Sequence, residues 1–385
     1  MAQTQLKVLG LLKTSVGAPW AVRQTRDFVK LGAEVHVALP PGGPRVRQYQ
    51  DAGVIVHPLQ LDFPLREPWR FPALRHQLRA LVEHVRPDII HSYYVGTTLT
   101  MRLALGRSCK IPRIFQVPGP LHLEYRFYRW AEIATAGPPD YWIGTCNWIA
   151  ERYRQSGVSP DRVFVSDYGV DVHDHIGRQT GKLRRELGVN EQVKIVGMVG
   201  LMYAPKRILG QSRGVKGHED LIDALAICLK SEPDILGVFV GGAWGGAAKY
   251  ESQIRAYAKE RCGDQAIFLG TREDVPDLLP DFDVAVQPSH SEAVAATAVE
   301  AQLLGIPVVA TQVGGLPDLI QDGETGWLVP PRNPPRMAEA ILEILQDPKR
   351  AKAVASAGRT YAARMFDGEK KNRQVFDIYR DILSR

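Results

Sequence analysis

Short apolar runs alternate with longer amphipathic stretches along most of the chain. That alternation predicts a parallel sheet with helices on both faces. "LKVLGLL" (6–12) reads as a strand and "TSVGAPW" as the loop after it. A helix is expected from about Trp20 to Leu31, ended by Gly32 as a left-handed C-cap. "EVHVALP" is the second strand, and "DIIHSYY", "PRIFQV" and "DYWIGT" are later ones, separated by helical patterns. "SDYGVDVHDH" (166–175) has turn residues and little apolar content, which suits an interdomain linker. "VKIVGMVG" then starts a second series, with a helix from about His218. Strands "ILGVFVGG", "QAIFLG", "DVAVQPS", "PVVAT" and "GWLVPP" follow with helices between them, and residues 334–385 are nearly all helical. The expected architecture is α/β: two Rossmann-like, doubly wound domains facing across a cleft. The first is set at 1–170 and the second at 171–365, with a final helix, 366–385, packing back toward the first.

A chain of 385 residues is too long for one ordinary core, which agrees with two domains. No apolar run approaches the roughly 18 residues of a spanning helix. A secretory leader is not read at the N-terminus, and a cytoplasmic protein is expected. Cys109, Cys146, Cys228 and Cys262 are scattered without CxxC spacing and read as reduced thiols. Charge divides unevenly. Residues 1–170 hold 21 Lys+Arg against 13 Asp+Glu, a net of +8, and the remainder holds 27 against 29. The basic half suggests an anionic partner, such as a phosphate-bearing molecule, an acidic saccharide or a lipid surface. Nucleic acid is not expected.

Ligands of doubly wound sheets bind beyond the C-terminal ends of the strands, and two such domains put the expected site in the cleft between them. One loop there is unusual. "SHSEAVAATAVEAQLLGIPVVAT" (289–311) holds Glu292 and Glu300 around seven small or apolar residues, directly after a strand. A helix starting near Ala295 or Ala296 aims its first N–H groups, including that of Thr297, at any anion in the cleft. Small residues let a bulky ligand approach the backbone. Two spaced carboxylates flanking a phosphate site could bind the hydroxyls of two sugar rings of one nucleotide sugar.

"PSHSEAVAATAVEAQLLGIPVVATQVGGLPDLIQDGETGWLVPP" resembles the C-terminal signature of the retaining glycosyltransferases of family 4, which have the GT-B fold. Weaker matches run through "LGAEVHVA", "RPDIIHS", "GVDV", "KGHEDLIDAL" and "FLGTREDVPDLL". The resemblance implies that Glu292 contacts the donor sugar, Glu300 the ribose, and Lys216 the diphosphate. Arg272 would lie near the nucleobase. Gly17 would let the backbone approach the diphosphate and acceptor region, and His122 would sit near the transferred sugar. There are departures. Ala293 and Ala295 stand where the family often has glycines, and "TSVGAPW" lacks a double glycine. Leu201 stands where an arginine is expected, leaving Lys206, Arg207 or Arg213 to serve; Arg213 is preferred for its nearness to Lys216.

Other motifs are read as structural. "DFD" (Asp281 to Asp283) resembles a metal-binding DxD but closes a helix and opens a buried strand. His173 and His175 lack a third ligand at suitable spacing. "GGAWGG" fails GxGxxG, and His91 lies at a strand end. The expected activity is metal-independent transfer of a hexosyl group from a nucleotide diphosphate sugar to a hydroxyl acceptor, with retention and without a cofactor. A role in envelope polysaccharide or glycolipid synthesis follows from the same resemblance. The alternative is a nucleotide-sugar or polyanion binding module without turnover. Residues 66–129 hold eleven Lys+Arg against four Asp+Glu, interleaved with Trp69, Phe127, Tyr128 and, just beyond, Trp130. With Arg66, Arg70, Arg75, Arg79 and Arg86 on or near one amphipathic helix, this stretch suggests peripheral contact with an anionic membrane or a lipid-linked acceptor.

Overall fold

The computed structural model describes residues 5–65, 67–172, 181–207 and 210–385. Arg66, His173 and His175 lie outside them. The chain forms two compact units: one runs to Gly169 and includes Gly368–Arg385, the other is Val170–Asp367.

The first unit has strands β1 (Lys7–Leu11), β2 (Glu34–Leu39), β3 (Ile55–Pro58), β4 (Ile89–Ser92), β5 (Arg113–Val117), β6 (Asp140–Gly144) and β7 (Val163–Val165). They form one sheet in the order β3-β2-β1-β4-β5-β6-β7, parallel throughout. The second unit has β8 (Lys194–Val199), β9 (Ile235–Val240), β10 (Ala266–Gly270), β11 (Val284–Gln287), β12 (Val308–Thr311) and β13 (Trp327–Val329), ordered β10-β9-β8-β11-β12-β13 and again parallel. The central strands are apolar and buried on both faces, as parallel sheets covered by helices require. Register follows from this burial: Val8 faces Val35 on one side and Ile89 on the other.

Strands β3 and β7 were not read from the sequence. Both are edge strands, and both are short and incompletely buried, so neither carries the continuous apolar run of a central strand. The boundary between the units, Gly169 to Val170, falls within the segment read as a linker, and the residues just before it are packed. Ser166 and Asp167 are buried, Asp167 pairs with Lys371 at 2.7 Å, and Tyr168 stacks on Trp20 at 3.8 Å. The C-terminal helix Gly368–Ser384 packs on Pro19–Lys30, with Phe28 against Phe376 and Tyr379 and Asn372 Nδ2 donating to Asp27 at 2.7 Å.

Strand order reverses direction between β1 and β4 in one unit and between β8 and β11 in the other. The crevice outside such a switch point is where a doubly wound sheet binds ligands.

Candidate active site

In the second unit a cavity of about 320 Å³ opens at the switch point between β8 and β11. It is lined from β8 and its loop by Val199, Gly200, Leu201 and Tyr203, and from the β9 and β10 ends by Gly241, Thr271 and Arg272. Lys216, Gln287, Glu292, Ala295, Ala296 and Thr297 line the rest of the wall.

Glu292 sits in the loop after β11. Its Oε2 accepts from Lys216 Nζ at 2.5 Å, from Ser289 Oγ at 3.2 Å and from Gln287 Nε2 at 3.5 Å. Gln287 is itself held, since Thr297 Oγ1 donates to its Oε1 at 3.1 Å. A glycine fixes this loop from behind. Gly314 has φ +53°, and a Cβ there would lie 1.8 Å from the Glu292 carbonyl oxygen. The "VGG" of the sequence is therefore a packing requirement of the Glu292 loop.

Lys216 reaches Glu292 because its own loop is pinned to the 288–290 segment. His290 N donates to Val215 O at 2.8 Å, and Gly217, at φ +74°, packs so closely on the Pro288 carbonyl that a Cβ would lie 1.9 Å away. Below the loop, Arg213 binds Asp220 at 2.5 Å and Asp223 at 2.8 Å, and His290 Nε2 lies 2.6 Å from Asp220. Burial would lift the Asp220 carboxyl, but the bonds from His290 and Arg213 hold it below its usual range. Burial likewise pulls the Lys216 ammonium down, and Glu292 more than offsets this, so Lys216 stays charged.

The helix Ala296–Leu303 begins on the cavity wall. Ala295 is its N-cap, with extended φ/ψ and no side-chain cap, so first-turn N–H groups are left for an anion. Ala295, Ala296 and Thr297 all line the cavity. Glu300 lies farther along this helix, half-buried and outside the lining residues. Arg272 lines the cavity with its guanidinium clamped by Asp274 (2.7 Å) and Glu186 (2.6 Å), which hold its pKa up. Arg213 is outside the lining, with both arms engaged as above; Lys206 and Arg207 are exposed and also outside it. Among the described residues, Lys216 and Arg272 are the cationic side chains of the cavity wall.

In the first unit, Gly17 N donates to Thr14 Oγ1 at 3.1 Å. Gly17 has ordinary backbone angles, and a Cβ on it would meet only Thr14 at 3.7 Å, so the fold itself does not demand glycine there. Its neighbour Ala18 holds a left-handed φ of 57° at the start of the next helix, a strained position in a loop at a strand's C-terminal end. His122, in the short helix Leu121–Glu124, lies with Nε2 2.9 Å from Tyr153 Oη, and burial pushes its pKa down to about 4. His91 is fully buried in β4, contacts the Tyr379 hydroxyl through Nδ1, and is pushed to about 3 by burial.

Sequence reasoning did not find Gln287, Ser289, Tyr203 or Thr271. The first two are polar residues at the end of an otherwise apolar strand, in "VAVQPSHSE", and that break in pattern was the available signal. The "DFD" motif is structural. Asp281 accepts from the backbone N–H groups of Gly181, Leu183 and Arg184, and Asp283 accepts from Arg184 Nη2 and Ile195 N at 2.8 Å each. Among the described residues no group of three or more His, Cys, Asp or Glu is arranged to hold a metal ion, and no helix is long and apolar enough to cross a membrane.

Two parallel doubly wound units are the architecture of the GT-B class of glycosyltransferases, and one of them has a cavity at its switch point. The chain belongs to that class by sequence as well: residues 180–361 match the family described as glycosyl transferases group 1, and residues 18–169 match the glycosyl transferase 4-like domain. The D-inositol 3-phosphate glycosyltransferase of Acidothermus cellulolyticus is 32% identical over 237 residues, which is 59% of this chain and 50% of that protein. The lipopolysaccharide core biosynthesis mannosyltransferase LpsB of Rhizobium meliloti is 27% identical, over 52% of this chain and 55% of its own length. The chain thus matches about half the length of these curated relatives. Among solved structures, HepE of Anabaena, in complex with UDP and glucose, superposes with a TM-score of 0.83 at 21% identity, covering 98% of this chain and all of that one. WaaG, a glycosyltransferase involved in lipopolysaccharide biosynthesis, superposes at 0.70 with 18% identity, covering 97% and 99%.

Proposed function

We propose that this protein transfers a hexosyl group from a nucleotide diphosphate sugar to an acceptor hydroxyl, retaining the anomeric configuration without a metal ion or cofactor. The observation that carries this reading is the cavity wall on which Lys216, Glu292 and the uncapped start of Ala296–Leu303 converge. Cleavage of the anomeric bond leaves negative charge on the diphosphate. An ammonium and a helix N-terminus are suited to that charge. Glu292 would orient the donor sugar and Glu300 the ribose. Arg272, neutralised by two carboxylates, is better suited to packing beside a nucleobase than to binding phosphate. Arg213 would contribute to donor binding by anchoring the Lys216 loop. Gly17 would admit the diphosphate and acceptor, and His122 would polarise or position the transferred sugar. Same-face attack, with the leaving phosphate accepting the acceptor's proton, gives retention.

The test is release of nucleoside diphosphate on mixing donor and acceptor, after a thermal-shift screen of UDP, GDP, ADP and TDP sugars has found the donor. Turnover undiminished by a chelator, with an α-linked product from an α-linked donor, is expected. Donor binding without release would favour a binding module instead. Glu300→Ala should weaken donor affinity about tenfold, as loss of hydrogen bonds to a charged group does. Unchanged affinity would remove Glu300 from the site.

The acceptor is proposed to be phosphate-bearing, and the first unit to touch an anionic membrane, as enzymes of envelope synthesis do. The basic half of the chain supports this, as do the inositol phosphate in the name of one curated relative and the lipopolysaccharide core in the name of the other. So does the helix Arg126–Ala134, which carries Phe127 at 69%, Tyr128 at 48% and Trp130 at 66% exposure beside Arg126 and Arg129. Co-sedimentation with phosphatidylglycerol vesicles should occur at low salt and fall in Phe127→Ser/Trp130→Ser. No binding at low salt would overturn the membrane reading.

A further inference from the structure

The cavity wall leaves two hydroxyls unspent. Of the polar side chains lining it, Thr297 donates to Gln287, Gln287 donates to Ser289 and Glu292, and Lys216 is paired with Glu292. The Arg272 guanidinium is filled by Asp274 and Glu186. Among the described residues, Tyr203 and Thr271 line the wall with hydroxyls that meet no protein partner. Thr271 stands next to Arg272 in the chain, on the side proposed for the nucleobase. Tyr203 stands on the segment that follows β8, and none of the roles above uses it.

Tyr203 is held from two directions. Met202 N donates to Gly242 O at 2.9 Å and Trp244 N donates to Met202 O at 3.0 Å, which zips the segment after β8 to the "GGAWGG" loop after β9. The Tyr203 ring then lies beside the Trp244 ring, with centroids 6.4 Å apart. On the other flank stands Gly214, in the loop that carries Lys216. A Cβ on Gly214 would lie 3.0 Å from the Tyr203 carbonyl oxygen and would strike the Tyr250 hydroxyl. The phenol itself is half-buried. Burial raises its pKa, and the charges that reach it are those of Lys216, which lowers it, and Glu292, which raises it. Tyr203 is therefore a neutral O–H donor beside that ion pair.

A diphosphate needs more from this wall than its charges supply. Lys216 is countered by Glu292, and Arg272 by Glu186 and Asp274, so these side chains bring no net positive charge. Neutral donors have to carry the remainder, as preorganised dipoles do where charge develops. The uncapped helix Ala296–Leu303 is one such source. We propose that Tyr203 is another, a further donor-binding residue whose hydroxyl hydrogen-bonds the phosphate that carries the sugar. Glu292 orients the sugar and Lys216 meets the diphosphate, so a hydroxyl beside that pair falls on the phosphate that joins the two. When the anomeric bond breaks, its electron pair stays on the phosphate oxygen. The phenol keeps its proton and stabilises that charge through one hydrogen bond. The proposal rests on the reading of the cavity as a nucleotide-sugar site, and its test separates the two.

The experiment compares Tyr203→Phe with the wild type by calorimetric titration of UDP, GDP, ADP and TDP, each beside its own monophosphate. The substitution removes one oxygen and keeps the ring against Trp244. Wild type should bind one diphosphate more tightly than the matching monophosphate. Tyr203→Phe should weaken that diphosphate about tenfold, as loss of a hydrogen bond to a charged group does, and leave the monophosphate within about twofold. The retained monophosphate also shows that the cavity of the variant is intact. With the sugar donor of the same base, kcat should fall about tenfold or more. Unchanged diphosphate affinity in Tyr203→Phe would overturn the proposal; if the sugar donor alone were weakened, the hydroxyl would belong to the sugar. An equal loss for diphosphate and monophosphate would overturn it as well, because Tyr203 would then be shaping the cavity and not reading the sugar-bearing phosphate. No binding of any nucleotide to the wild type would bring down the nucleotide-sugar reading itself, and this proposal with it.

Discussion

Lys216 and Glu292 pair at 2.5 Å on the wall of a cavity proposed to receive a diphosphate. The pair is only partly buried, so each member can exchange its partner for ligand without being stranded in a dry interior. Lys216→Ala is expected to raise the barrier by roughly 2–4 kcal/mol, the usual cost of losing one preorganised charge at a developing anion. Full activity in that variant would defeat the mechanism. Glu292→Gln should lower kcat more than donor affinity. Gln287 never contacts the phosphate in this reading, yet it links Thr297 to Glu292. Gln287→Ala should therefore cost about tenfold in kcat, measured well below the melting transition, by freeing Glu292, because misplacing a reacting group by a fraction of an ångström is expensive. If Gln287→Ala instead lowered donor affinity alone, Gln287 would be a direct ligand.

At the scale of elements, "DFD" works as a buckle. The helix Lys182–Leu187 starts at Gly181 without a cap of its own, and Asp281, about a hundred residues later, supplies one to three backbone N–H groups. Asp281→Ala would orphan those donors and should cost about 3 kcal/mol of stability. Urea unfolding reads that loss, and turnover below the transition should be unchanged; intact stability would return the motif to the list of possible ligands. The central strands were legible because a parallel sheet buried on both faces demands continuous apolar runs, and the loop holding Glu292 was legible because its small residues break that rule. The rest was hidden for reasons of distance. Edge strands β3 and β7 need no apolar run. The ties of Arg213 to Asp220 and Asp223 answer to tertiary geometry, not to spacing along the chain. Tyr153 reads as an ordinary member of an amphipathic helix, and only the fold brings it against His122.

For the whole molecule, the buried histidines set the response to acid. Burial depresses His91 to about 3 and His122 and His218 to about 4, and His57 is lowered for the same reason. In the unfolded chain each returns to about 6.5. Between those values the unfolded chain binds the proton and the folded one does not, so stability is lost as pH falls from about 6.5 toward 4. Each such proton contributes about 1.4 kcal/mol per pH unit. Asp220 acts in the same direction, but only once the carboxylate range is reached. Asp167, raised by burial against the pull of Lys371, acts in the opposite one. The window from pH 6.5 to 5 therefore belongs to the histidines, three of them in the first unit and His218 in the second. Unfolding in urea near pH 5.5 should take up about three to four protons, and His218→Asn should remove one of them. Uptake near zero would mean that these rings are already charged in the folded protein.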